Sequence, residues 1–268
     1  MARNGALTIF MVLSLRSTSV SVLPLSGSLM HIEGTGSVTV VFEAGLGDTR
    51  KVWDKVQSSV AQGCAGTVTY TRSDHGIGNS ADGPRDAEHI VAELRQRLAV
   101  SGLSPPYVLV GHSSGGLYMQ YFARRYPMDV QGLVLVDSTH WDQLERVKTA
   151  APGVYGMTKM ASFLMSDIVR HEFASIPSTG TEVAALPRAS NISTIVLSST
   201  RAGNGETSAY RTLAAQLQNE IAATFDTKRH DFVIDSGHYI QRDQPQAVIN
   251  AARELAGCHP RQEPVEPL

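Results

Sequence analysis

One short stretch restricts the fold more than any other: the apolar run Tyr107–Val110 leads straight into Gly111-His-Ser113-Ser-Gly115-Gly116, and helical patterning follows. A strand must therefore turn sharply into a helix at Ser113. Glycines leave room beside a serine that is held in an uncommon backbone conformation. Raised in this way, the serine stands at a helix N-terminus, where partial positive charge favours an anion. G-x-S-x-G recurs by chance in glycine-rich chains, and the strand before it and the helix after it are what give it meaning here.

The rest of the chain has a compatible rhythm. Apolar or β-branched runs recur at Ser19–Leu25, Ser28–Ile32, Val38–Phe42, Thr67–Thr71, Tyr107–Val110, Leu133–Val136, Thr194–Leu197 and Asp231–Ile234, and they read as strands. The later ones are almost continuously apolar, as parallel strands covered on both faces are. Between them, Asp86 to Leu98 sets Ile90, Val91, Leu94 and Leu98 on one helical face, Gly115 to Tyr126 runs until Pro127, and a last helix opens at Pro245 and ends before Gly257. This alternation predicts an α/β fold with a mostly parallel sheet and functional loops at the strands' carboxyl ends.

At 268 residues the chain is long enough for one substantial core. Residues 17–137 and 191–257 read as two parts of that core. Between them, 138–190 breaks the β rhythm with Trp141, Met157, Met160, Phe163 and Met165 at loosely helical spacing. A long crossover is the plainer reading, and a small helical cap is preferred because connections of this length are usually functional. Residues 258–268, rich in proline, read as a disordered tail. Residues 1–16 fit a signal-like segment or a first strand equally, which leaves a cytoplasmic and an exported location both open.

Hydrophobic residues make up 42% and charged residues 18%, a globular balance rather than that of a disordered chain or a membrane bundle. No stretch reaches the ~20 apolar residues of a spanning helix, so no stable membrane insertion is expected. Lys+Arg 23 against Asp+Glu 25, without a basic run, argues against a nucleic-acid partner. Cys64 and Cys258 lack any metal or redox spacing and read most simply as buried or free thiols. No cofactor or metal is called for.

A serine hydroxyl is a poor nucleophile at neutral pH and needs a base within hydrogen-bond reach. His238 is placed to serve, between the last strand with its tight turn and the C-terminal helix. His112, inside the turn, reads as packing, and His75 and His140 as surface or pocket-lining residues. The third member should fall between nucleophile and histidine in the chain. Asp137 closes the strand Leu133–Val136 and is the preferred acid; Glu206, after the next strand, is the alternative. Asp235 reads as a turn residue. For a developing oxyanion, the loop Glu43-Ala-Gly-Leu-Gly-Asp48 offers the backbone N–H of Leu46, and Ser114 offers a second.

With these residues assembled, the chain from about Gly27 to Gly257 resembles the α/β-hydrolase superfamily. Glu43-Ala-Gly-Leu-Gly-Asp48, Val134-Leu-Val-Asp-Ser-Thr-His140 and Gly237-His-Tyr-Ile-Gln-Arg-Asp-Gln-Pro245 resemble one serine-dependent, carboxylesterase-like cluster within it. The resemblance implies an eight-stranded sheet, a helical cap after the sixth strand, and ester, thioester or lactone cleavage of a small molecule through an acyl-serine. C–C bond hydrolysis, acyl transfer or cofactor-free perhydrolysis would use the same residues, and a binding protein on the same scaffold is the reading from another class. Tyr70-Thr-Arg-Ser-Asp-His-Gly-Ile-Gly78 resembles the family's loop before the next helix but carries Thr71 and Asp74 where an aspartate and a glycine are common.

Overall fold

Alternation along the strands decides which residues go to which side of the sheet. A computed structural model describes residues 30–62, 65–72 and 84–258. Its strands are β1 (His31–Glu33), β2 (Thr39–Glu43), β3 (Gly66–Thr69), β4 (Tyr107–His112), β5 (Val130–Val136), β6 (Ser193–Ser199) and β7 (Arg229–Val233). They form one sheet in the order β1-β3-β2-β4-β5-β6-β7, with β1 antiparallel to β3 and every other pair parallel.

Val40, Phe42, Val108, Val110, Val134 and Val136 point to one face, where α1 (Asp54–Ala61) and α10 (Pro245–Leu255) cover them with Val56, Val60, Val248 and Ile249. Val41, Leu109, Leu133 and Leu135, the alternate positions, point to the other. There α2 (Ala87–Val100), α3 (Ser114–Arg125) and α8 (Ser208–Thr224) supply Leu94, Leu98, Leu117, Phe122 and Ile221. Each such side chain contributes roughly 1.5–3 kcal/mol when fully buried. Asp86 caps α2 by accepting the His89 N–H at 3.0 Å, and Pro245 opens α10 at the position where a missing N–H costs nothing.

Four helices stand between β5 and β6: α4 (Gln143–Ala150), α5 (Pro152–Ser162), α6 (Asp167–Ala174) and α7 (Ile176–Ala185). They are anchored at intervals. Val147 and Ala151 pack on Leu213 and Leu217 of α8, Val183 joins the main core, and the Trp141 carbonyl lies where a side chain on Gly180 would be. Met160, Phe163 and Leu164 stay exposed. A short helix, α9 (Ile240–Asp243), precedes α10.

Two expectations are corrected. The described residues hold seven strands rather than eight; the run Ser19–Leu25, like the 1–16 segment and the tail beyond Cys258, lies outside them. Cys258 is buried but disulfide-bonded, so its reading as a thiol fails, and Cys64 lies outside the described residues. Pairing follows from proximity in the fold, which the spacing of two distant cysteines does not encode.

Candidate active site

At the end of β4 the backbone of Ser113 takes φ 53° and ψ −124°, the strained turn that the glycines around it permit. A Cβ on Gly111 would stand 2.6 Å from the Gly116 Cα, one on Gly115 would press into the Ala44 carbonyl, and one on Gly116 into the Ser138 side chain. Three segments thus pass the turn at backbone contact. Ser113 N–H donates to Val136 O at 3.2 Å, and Thr139 N–H donates to Ser113 O at 2.9 Å.

Between Val136, which accepts, and Thr139, which donates, lies Asp137, with φ 42°. Its N–H donates to Leu197 O at 2.8 Å. Its Oδ1 accepts from the Ser199 N–H at 2.9 Å and its Oδ2 from the Ser199 hydroxyl at 3.2 Å. Asp137 Oδ2 also lies 2.7 Å from His238 Nδ1, and His238 Nε2 lies 3.0 Å from Ser113 Oγ. An ionised carboxylate only accepts, so the imidazole proton sits on Nδ1 and the serine hydroxyl donates to Nε2.

Electrostatics support that assignment. Burial raises the Asp137 carboxyl, but the hydrogen bond and charge of His238 and the Ser199 N–H outweigh it and hold the pKa below its ordinary value. For His238, desolvation works against the imidazolium, and Asp137 outweighs it, lifting the pKa above 6.5. His112 behaves in the opposite way: burial, then the neighbouring His238 charge, push it down to about 3. As a neutral ring it donates Nε2–H to the His238 carbonyl at 3.0 Å, its centroid 4.7 Å from that of His238, and it meets Trp53 edge-on. It fixes the backbone of the loop that carries His238.

Glu206 is not brought to His238. Its carboxylate accepts the Gly203 N–H at 2.9 Å and faces Arg211 at 3.5 Å, while Arg211 donates to the Ser199 carbonyl at 2.9 Å. His140 accepts the Asp142 N–H and lies 3.3 Å from Glu220, and burial lowers its pKa to about 4. Asp235, at φ 58°, is a turn residue; His75 lies outside the described residues.

Two hollows meet at Ser113. One, of about 530 Å³, is bordered mainly by polar residues, among them Asp137, Ser199, Glu206, Arg211, Gln218 and His238. The other, of about 180 Å³, is mostly apolar and is lined by Leu46, Ser114, Leu144, Val147, Val154 and Ile176. Gln143, Thr158 and Tyr210 border both. Burial pushes the Tyr210 phenol up to about 12, so it keeps its proton and can donate. Residues of α4 and α5 therefore wall the cleft directly.

The loop bearing Leu46 is closed by an Asp48 N–H to Gly45 O bond of 3.2 Å, with Gly47 at φ 73°. The sequence left unread the residues that hold this loop: Arg72, three residues beyond β3, and Glu172 on α6, which holds Arg72. A charged residue closing β2, Glu43, and another just beyond β3, Arg72, were the available signal. Among the described residues, no cluster of three or more His, Cys, Asp or Glu is arranged to hold a metal ion, and no helix is long and apolar enough to cross a membrane.

The family model described as the alpha/beta hydrolase family matches residues 40–252. The Bacillus subtilis proteins YqjL and YbdG are 33% identical over 107 residues and 27% identical over 161 residues. Those stretches cover 40% and 59% of this chain but only 42% and 48% of the relatives, so the chain spans less than half the length of each. A thermophilic esterase from Thermogutta terrifontis superposes with a TM-score of 0.57 at 20% identity, covering 87% of this chain and 94% of that one. An N-acyl homoserine lactone degrading enzyme gives 0.60 at 17%, covering 85% and 96%. At these identities the structural likeness speaks to the fold.

Proposed function

This chain belongs to the alpha/beta hydrolase family, and we propose that within it the protein is a serine hydrolase cleaving carboxylic esters, with thioesters and lactones in the same class, through an acyl-serine. The observation that carries the reading is the unbroken relay from Asp137 through His238 to the Ser113 hydroxyl, at 2.7 and 3.0 Å.

In this reading Ser113 Oγ attacks the substrate carbonyl while its proton passes to His238 Nε2. The imidazolium is stabilised by Asp137. The tetrahedral oxyanion accepts from the N–H groups of Leu46 and Ser114, fixed donors of the kind that contribute most to acyl transfer. Collapse breaks the ester C–O bond, and His238 returns the proton to the leaving alkoxide. Water then attacks the acyl-enzyme, giving its proton to His238, and a second collapse restores the Ser113 hydroxyl and releases the acid. The apolar hollow suits a short acyl group and the polar one the alcohol portion. The helices α4–α7 act as the cap over both.

Labelling with a fluorophosphonate and turnover of p-nitrophenyl esters test the reading. Wild type is expected to label and turn over, and Ser113→Ala and His238→Ala to do neither. Equal labelling of Ser113→Ala would refute it.

A further inference from the structure

Arg72 is 3% exposed, and all five of its N–H bonds have an acceptor. Nη1 donates to Glu43 Oε1 and to Ala44 O, both at 2.5 Å; Nη2 donates to Gly45 O at 2.7 Å and to Glu172 Oε1 at 2.6 Å; Nε donates to Glu172 Oε2 at 3.2 Å. Two of these acceptors are main-chain carbonyls of the loop that offers Leu46 to the cleft. A third is a carboxylate that arrives from α6, 100 residues along the chain and itself fully buried.

The consequence follows from peptide geometry. In a planar trans peptide the C=O and the next N–H point in opposite directions. Gly45 O is held by Arg72 on one side of the loop and by the Asp48 N–H that closes the turn. The Leu46 N–H must therefore point away from the guanidinium. Gly45 itself lies against the nucleophile, since a Cβ there would be 3.3 Å from the Ser113 Cβ. A glycine resists rotation of its flanking peptide very little, so the orientation has to be imposed from outside, and Arg72 is placed to impose it.

A cluster of buried charges is an expensive way to fasten a helix, because well-packed apolar side chains often do as well or better. What ions add is direction. Tyr70 donates to Glu43, the Tyr118 ring lies 5.3 Å from the Arg72 guanidinium, and Arg85 stands 3.8 Å from Glu172, so the cluster is braced on several sides. Glu172 is the member supplied by the helices between β5 and β6.

We propose that Arg72 is a positioning residue for the oxyanion hole, and that Glu172 ties the docking of α6 to the orientation of the Gly45–Leu46 peptide, so that the cap and the hole assemble as one unit. The inference rests on the acyl-serine reading above. It makes the helical cap a participant in transition-state stabilisation as well as a wall.

The experiment uses the full chain with Arg72→Lys and the isosteric Glu172→Gln, each checked for fold by circular dichroism and thermal melting. Lysine keeps the charge but cannot fork onto two carbonyls and a carboxylate. Arg72→Lys is expected to lower kcat on a p-nitrophenyl ester roughly 10²–10³-fold, the cost of losing one oxyanion donor, and Glu172→Gln about 10-fold, as for a small misplacement, with KM little changed. A trifluoromethyl ketone, which binds as a serine-linked oxyanion, should weaken in step with kcat, while the matching alcohol, which forms no oxyanion, binds as to wild type. Folded variants that keep wild-type kcat would overturn the proposal, as would equal weakening of ketone and alcohol. Glu172→Gln decides the question should Arg72→Lys not fold. Ser113→Ala runs in parallel: activity retained there would sink the acyl-serine reading itself, a different result from wild-type kcat in the clamp variants alone.

Discussion

The turn from β4 into α3 and the helix α5 both contain glycines, and they use them for opposite reasons. Around Ser113, side chains on Gly111, Gly115 and Gly116 would collide with backbone or with Ser138, whereas Gly153 and Gly156 of α5 have nothing within 4 Å of the place a Cβ would occupy. In the first region glycine lets three chain segments touch; in the second it only loosens a helix. Exposure follows the same division. Every residue of α3 except the last is buried, while in α5 Ser162 alone is. The difference teaches that the reacting groups are set by the backbone of the sheet, and that the helices over them are set by a few long-range side-chain contacts such as Arg72–Glu172.

The comparison can be pressed hardest at the nucleophile. Ser113→Ala should lower ester turnover by about 10⁵–10⁶-fold with the melting temperature nearly unchanged, measured by steady-state hydrolysis beside calorimetry. Asp137→Asn should cost about 10⁴-fold, because the amide no longer selects the tautomer with a free Nε2, and Glu206→Gln should stay within a few-fold. The reverse pattern would move the acid to Glu206.

Stability probes the packing side of the same contrast. Gly115→Ala should destabilise by about 1–3 kcal/mol in denaturant titration, since the methyl group enters the space of the Ala44 carbonyl. Acid dependence comes next: kcat/KM should rise about tenfold per pH unit at acid pH and level off only past a pKa raised above 6.5, because His238 must be neutral to accept the proton. A plateau reached below pH 6 would contradict the Asp137–His238 pairing. The smallest effect is expected in α5, where Gly156→Ala should stabilise by about 0.5–1 kcal/mol without altering kcat; a loss of activity there would show the helix to be more tightly coupled than its surroundings indicate.

Legibility in the sequence tracks the same boundary. Ser113, Asp137 and His238, the candidate residues that the structure brings into one hydrogen-bonded chain, are legible because each sits at the carboxyl end of a strand or on the turn after one, and strand ends are readable from apolar periodicity and punctuation. The two faces of the sheet could be read for the same reason. Ser199, which ends β6 and holds both oxygens of Asp137, carries no local pattern that marks it as a donor. Glu172 was invisible: it lies among mixed residues of a segment without clear period, and nothing local pairs it with Arg72. The bond at Cys258 was missed for a similar reason, since it depends on where the chain returns.

The bracketing of Ser113 between the Val136 carbonyl and the Thr139 N–H bears on how the protein should fail when heated. Ser113 and Asp137 are sewn onto the ends of adjacent strands by the same ladder, so no low-cost local opening separates them. Among the helices between β5 and β6, α5 has the least to hold it, with Ser162 alone buried, and should open first. Warming should therefore loosen α5, and with it the wall that Val154, Tyr155 and Thr158 give the cleft, before it disturbs Ser113, Asp137 or the clamp at Arg72.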